Sequence, residues 1–198
     1  GDPARARAAA ARAAGAGGAG LVSYGLAGGL DPGLGAGAVV IAETVIDSAG
    51  RRFAVDARLR ARVCARAREQ GAVAGGAVYG ADRPVTTAAA KAALFAASGA
   101  VALDMESHVV AAEAARSGLP FLVLRVILDP AHRAVPRAAV AALGSDGRLR
   151  LGAMASELAR APGEVASMIG LGLDWMRAGR VLRHRLAPLL HLDPFALA

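Results

Sequence analysis

The sequence predicts an α/β protein with one central sheet and a helical C-terminal third. Short apolar runs alternate with longer helical segments between residues 21 and 127. The run at 121–127 (FLVLRVI) is apolar except for Arg125, the pattern of a strand covered on both faces. Beyond Pro136 no run has strand character.

The elements follow in order. Residues 3–14 are rich in Ala and Arg and open on Pro3, a residue suited to a first helical turn. Residues 21–24 (LVSY) form a short apolar run between Gly20 and Gly25 and read as a buried strand. Asp31-Pro32-Gly33 marks a turn. The β-branched stretch 38–46 (AVVIAETVI) reads as one strand, and 57–70, with Arg at close intervals, as an exposed helix. Residues 73–79 form a weak strand, 86–97 a helix and 100–103 a short strand running straight into a helix at 105–116. Gly118-Leu119-Pro120 ends that helix, and the strand at 121–127 follows. Helices are expected at 136–142, 151–161 and 164–190, punctuated by Pro162 and Pro188.

Composition narrows the function. The 198 residues allow one domain with a real core. Hydrophobic residues make up 55% and aromatics only 4%, which excludes both a disordered tail and a base-stacking platform, so no nucleic-acid partner is expected. The single Cys64 excludes an internal disulfide framework and a multi-cysteine zinc site, and the four His are scattered, so no metal is expected. A reducing cytoplasm is the expected compartment. Lys91 is the only lysine among 23 basic residues; the Arg, Ala and Gly excess matches GC-rich coding. The net charge of +7 still attracts anionic lipid or phosphate. The start, Gly1-Asp2-Pro3, lacks the pattern of a signal peptide, and the uncharged run 13–30 is too Gly-rich for a membrane span.

Three stretches carry chemistry. Residues 25–30 (GLAGGL) follow a buried strand, where backbone amides can form an anion nest; a plain tight turn is the other reading. The earlier GAGGAG at 15–20 follows a helix and opens a strand, the reverse of a dinucleotide fingerprint. Leu103-Asp104-Met105-Glu106-Ser107-His108 lies at a strand-to-helix junction, where Asp104 or Glu106 can cap the helix or accept hydrogen bonds from a sugar diol. His108 reads as a packing or supporting residue. Arg125 interrupts an apolar strand and needs a buried partner, for which Glu106 is the expected candidate. Asp129 falls at the carboxyl end of that strand, where α/β folds place their sites.

Together, GLAGGLDP (25–32), DMES (104–107) and RVILDP (125–130) resemble, in order and spacing, the nucleoside phosphorylase and nucleosidase superfamily. The longer strings SYGLAGGLDPGL, DRPVTTAAAKAAL and LDMESHVVAAEAARSGLPF look closest to its hopanoid-associated phosphorylase branch, which is implicated in releasing adenine from adenosylhopane. The resemblance implies a three-layer fold with a central mixed sheet. It implies that Glu106 binds ribose, that Met105 packs on the sugar, and that Ala27 and Gly28 line the sugar site. It makes Asp129 the acid at the purine, Val85 part of the base site, and Arg125 the group that orients the carboxylates.

The implied reaction is N-glycosidic cleavage with Asp129 and Glu106 as the catalytic pair, one protonated and one ionised. No cofactor is implied, and phosphate is a possible co-substrate. A small-molecule or lipid-linked nucleoside and a homo-oligomer are the implied partners. Relatives carry an N-terminal strand and loop ahead of this start, holding phosphate contacts or a water-activating Glu, so the nucleophile stays open. Leu26, Pro84 and Leu128 replace a Ser, an aromatic and a Ser usual in relatives. Residues 1–150 are expected to form the phosphorylase-like domain without its first strand, and 151–198 a helical extension packed on it or on a membrane surface. Residues 168–192 mix apolar positions with Arg177, Arg180, Arg183 and Arg185, as a peripheral membrane helix would, or an ordinary core-facing one. Two alternatives accompany the adenosylhopane reading: a soluble methylthioadenosine/S-adenosylhomocysteine-type nucleosidase, and an inactive homologue that binds a membrane or a partner.

Overall fold

A computed structural model describes residues 2–142 and 150–191. The expected C-terminal extension is therefore described as far as His191, and its remainder lies outside the described residues. In chain order the elements are α1 (Pro3–Gly15), β1 (Leu21–Gly29), β2 (Val39–Ile41), β3 (Thr44–Ile46), β4 (Arg52–Ala54), α2 (Ala57–Glu69), β5 (Val73–Ala74), β6 (Ala77–Gly80) and α3 (Ala88–Ser98). They continue as β7 (Ala100–Asp104), α4 (Ser107–Ser117), β8 (Phe121–Asp129), α5 (Arg137–Ala142), α6 (Leu151–Arg160), α7 (Val165–Val181) and α8 (Ala187–His191). A 3-10 turn at Pro162–Glu164 precedes α7, and a π-helical turn at Leu182–Leu186 links α7 to α8.

The strands form one mixed sheet in the order β4-β3-β6-β7-β1-β8-β2-β5. Along β8, an interior strand between β1 and β2, alternate residues enter separate cores. Phe121, Val123 and Ile127 pack with Ala10 of α1 and Ala111 and Ala114 of α4. Leu122, Leu124 and Val126 pack with Val63, Cys64 and Ala67 of α2, Ala178 of α7, and Leu186 and Leu189 beyond it. Two covered faces make the predicted three layers. The Tyr24 hydroxyl, which donates to the Leu182 carbonyl at 2.7 Å, ties β1 to the C-terminal helices.

Three strand expectations need correction. The stretch 38–46 is two strands: β2 lies beside β8, whereas β3 lies between β4 and β6, so the chain changes position in the sheet at Ala42-Glu43. The stretch 73–79 divides in the same way, into β5 at the sheet edge beside β2 and β6 between β3 and β7. Residues 25–29 are strand, not a turn or an anion nest. β1 runs through Gly29, and its residues from Leu21 to Gly28 pair in parallel with β8. The register shift between Ala27 and Gly28 is the one irregularity in this ladder. The helix expected from residue 105 begins at Ser107, and β4 has no counterpart in the sequence reading.

Gly80 ends β6 against the start of α4. A Cβ there would lie 2.3 Å from the His108 Cβ and 2.5 Å from its Nδ1. Gly80→Ala should cost about 1–3 kcal/mol through forced displacement of α4, read as a lowered midpoint in thermal unfolding.

Candidate active site

β6 and β7 run together, as do β1 and β8, and the two pairs are antiparallel to each other. β1 and β7 touch only where Gly28 faces Leu103 and Gly29 faces Ala102, so their carboxyl ends overlap. That overlap gathers the chemistry-bearing residues. β8 brings Asp129 beside Gly28, and β7 leads into Met105 and Glu106 alongside β1.

Arg125 faces the α4 side of the sheet and is 2% exposed. Its partner is Asp104, not the expected Glu106: Arg125 Nε lies 2.5 Å from Asp104 Oδ2. Nη2 donates to Ser23 Oγ at 2.6 Å and Ser107 Oγ at 2.9 Å. Asp104 closes the cluster by accepting from the amides of Glu106 and Ser107 through Oδ1, and from the Ser107 hydroxyl through Oδ2. It thus caps α4 as it neutralises the guanidinium. Burial pushes the Asp104 carboxyl upward, but Arg125 and the Ser107 hydrogen bonds outweigh it and hold the group below the usual carboxylate range. The physical reason for the exchange is register. Asp104 is the last residue of β7 and lies in the sheet, whereas Glu106 lies beyond it at the mouth of α4 and is half-buried. Gly25 is part of the same fit, since a Cβ there would sit 3.0 Å from Arg125 Nη1.

Asp129 belongs to a second cluster that the sequence reading missed. Lys91, the only lysine, is fully buried in α3 and lies 2.5 Å from Asp129 Oδ2. Its ammonium also donates to the carbonyls of Asp129 and Pro130 at 3.1 Å and of Arg133 at 3.0 Å. Burial pushes the Asp129 carboxyl above its ordinary value; Lys91 opposes that rise, and Asp174 of α7 adds to it. Gly28 makes room for both carboxylate oxygens, with its Cβ position 3.3 Å from Oδ2 and 3.5 Å from Oδ1. A lone charge in the apolar stretch 86–98 (TTAAAKAALFAAS) was the available signal for Lys91.

The remaining candidates fall on either side of this centre. Ala27 is buried in β1, and Met105 is half-buried at the β7–α4 junction. Val85 lines a groove of about 640 Å³ with Ser48, Tyr79, Asp82, Ala90 and Leu94, of which Asp129 is not a wall. The structure therefore does not bring the two expected base-binding residues into one cavity. α3 lies between them in role, its Ala90 and Leu94 on the groove and its Lys91 on Asp129. His108 supports the loop that carries Val85, with Nε2 3.3 Å from Asp82 Oδ1.

A mixed sheet whose antiparallel carboxyl ends meet, with one carboxyl held below and one pushed above the usual range there, defines an enzyme of the nucleoside phosphorylase and N-glycosidase class. Residues 1–160 match the Phosphorylase superfamily, and the chain belongs to that family. Two Helicobacter pylori enzymes share its fold. The 5′-methylthioadenosine/S-adenosyl homocysteine nucleosidase is 21% identical over 83% of this chain and 77% of its own, with a TM-score of 0.62. Futalosine hydrolase is 22% identical over 79% of this chain and 72% of its own, also with a TM-score of 0.62. No curated protein matches the chain.

Proposed function

We propose that this enzyme releases adenine from adenosylhopane, a nucleoside carried on a hopanoid lipid. The reaction class supplies the first half of this reading. As the C1′–N9 bond lengthens, the sugar becomes cationic and the base gathers electrons. Asp129, whose carboxyl burial pushes above its ordinary value, gives its proton to the base at N7. Glu106 holds the ribose hydroxyls, with Met105 against the sugar and Ala27 and Gly28 beneath it. Arg125 acts on the site through Asp104, whose capping bonds set the start of α4 and so the place of Glu106.

The observation that carries the lipid half is on α7. Val165, Ile169, Leu173 and Met176 recur on one face of this helix, at spacings of four and three, and each is 46–62% exposed. Trp175, 58% exposed, flanks the stripe, and Arg177, Arg180 and Arg183 are exposed at its C-terminal end. A solvent-facing apolar stripe with Trp and Arg at its border suits an anionic membrane surface. No helix among the described residues is long and apolar enough to cross a membrane; the contact proposed here is a peripheral one. The same stripe would be covered in a homo-oligomer.

The test is adenine release from adenosylhopane in detergent, with and without phosphate, beside methylthioadenosine. Release from the lipid substrate supports the reading, and a requirement for phosphate identifies the nucleophile. Release from methylthioadenosine alone moves the assignment to a small-molecule nucleosidase. Release from neither leaves a membrane- or partner-binding homologue.

A further inference from the structure

We propose that Lys91 is a positioning residue of the glycosidic cleavage: it fixes one oxygen of the acid and receives the negative charge that the acid acquires. The inference rests on Asp129 being that acid. Three features of the structure lead to it. Lys91 is fully buried, and an ammonium is placed there only at a desolvation cost. Its donors are spread over four acceptors, all contributed by Asp129 and the segment just beyond it. The carboxylate contact goes to Oδ2, so Lys91 leaves Oδ1 to meet the departing base.

The C1′–N9 electron pair moves onto the base. The proton on Oδ1 moves to N7, and Asp129 is left as a carboxylate. Lys91 already stands against that carboxylate, so its charge is worth more after proton transfer than before, the condition for lowering a barrier. The other charged groups around the pair are identifiable. Asp174, from α7, raises Asp129 and lies 2.7 Å from Arg133 Nη1. Arg125, on β8 itself, is neutralised by Asp104 from β7. Among the described residues, Lys91 is the cation in direct contact with the acid.

A purely structural role predicts something different. Lys91 would then merely tie down carbonyls 129, 130 and 133, and its loss would lower the folded fraction without moving any ionisation. The acid must be protonated to work, so activity falls as pH rises through its pKa. Without the ammonium that pKa rises further, and activity should persist to higher pH.

The experiment measures the pH profile of kcat and kcat/KM for base release by Lys91→Met and Lys91→Gln, corrected for folded fraction. Asp129→Asn runs in parallel. The expected result is an alkaline limb displaced upward by about one pH unit or more. The plateau kcat should fall on the order of tenfold to a hundredfold, with KM nearly unchanged. An unmoved limb in both variants, with Asp129→Asn inactive, overturns the role of Lys91 alone. Substantial activity in Asp129→Asn overturns the acid on which it rests.

A measurement on the unaltered enzyme covers the case in which the variants fail to fold. With a single lysine in the sequence, 15N-lysine labelling yields one side-chain signal. That signal should change its chemical shift as the neighbouring Asp129 loses its proton. A signal flat across the range of the alkaline limb overturns the proposal.

Discussion

Asp129→Asn should lower base release from any accepted nucleoside by about two to four orders of magnitude. Asparagine keeps the shape of the side chain and the place beside Gly28, where both oxygen positions already have room. It can offer a hydrogen bond to the base but cannot surrender a proton. The loss should therefore appear in kcat, with substrate binding largely retained. Stability must be measured alongside, because the substitution also removes the carboxylate that faces the buried Lys91 ammonium. The three backbone carbonyls that remain around Lys91 soften that second effect. In the wild type, a carboxyl raised by burial binds its proton more tightly in the folded chain than in the unfolded one. Its contribution to stability is complete below the unfolded value and is lost as pH rises through the folded one. Activity that needs this proton declines over the same upper range.

Arg125→Met should be the most damaging change to stability, costing about 3–5 kcal/mol. It leaves Asp104 buried, 5% exposed, without its counter-charge and still bound to the α4 amides. The urea midpoint should drop accordingly. The pH dependence gives an independent sign. Asp104 is held below the usual carboxylate range, so its contribution is present above the unfolded value of about 3.9 and is lost as pH falls through the folded one. In Arg125→Met burial acts on Asp104 without the guanidinium, and this acid-side loss of stability should disappear. A double substitution, Arg125→Met with Asp104→Leu, should recover part of the loss, because an apolar pair costs less than a half-removed ion pair.

The sheet was legible where burial is two-sided. The runs at 21–24, 100–103 and 121–127 announce themselves because both faces of β1, β7 and β8 are covered, which favours apolar residues at successive positions, Ser23 and Arg125 excepted. Two helix starts were legible, at residues 3 and 57, where α1 and α2 begin; α3, expected from residue 86, begins at Ala88 behind its Thr87 cap. The break at Ala42-Glu43 was not legible: both halves are β-branched, and only the sheet order shows that they belong to different neighbours. The glycines at 25–29 misled for a related reason. They read as a turn, yet they are strand glycines that admit a guanidinium at Gly25 and a carboxylate at Gly28.

For the site, the linear pattern was enough to single out the individual charges. Arg125 and Asp129 stand out inside or at the end of an apolar run, and that contrast exists before any folding. Which charges meet was decided by tertiary structure. Asp104 reaches Arg125 because β7 meets β1 at overlapping carboxyl ends, one strand away from β8. Lys91 reaches Asp129 across 38 residues because α3 packs its one charged side chain inward. Spacing along a chain records which residues will be buried. It does not record the strand order and register that decide which buried charge each will face.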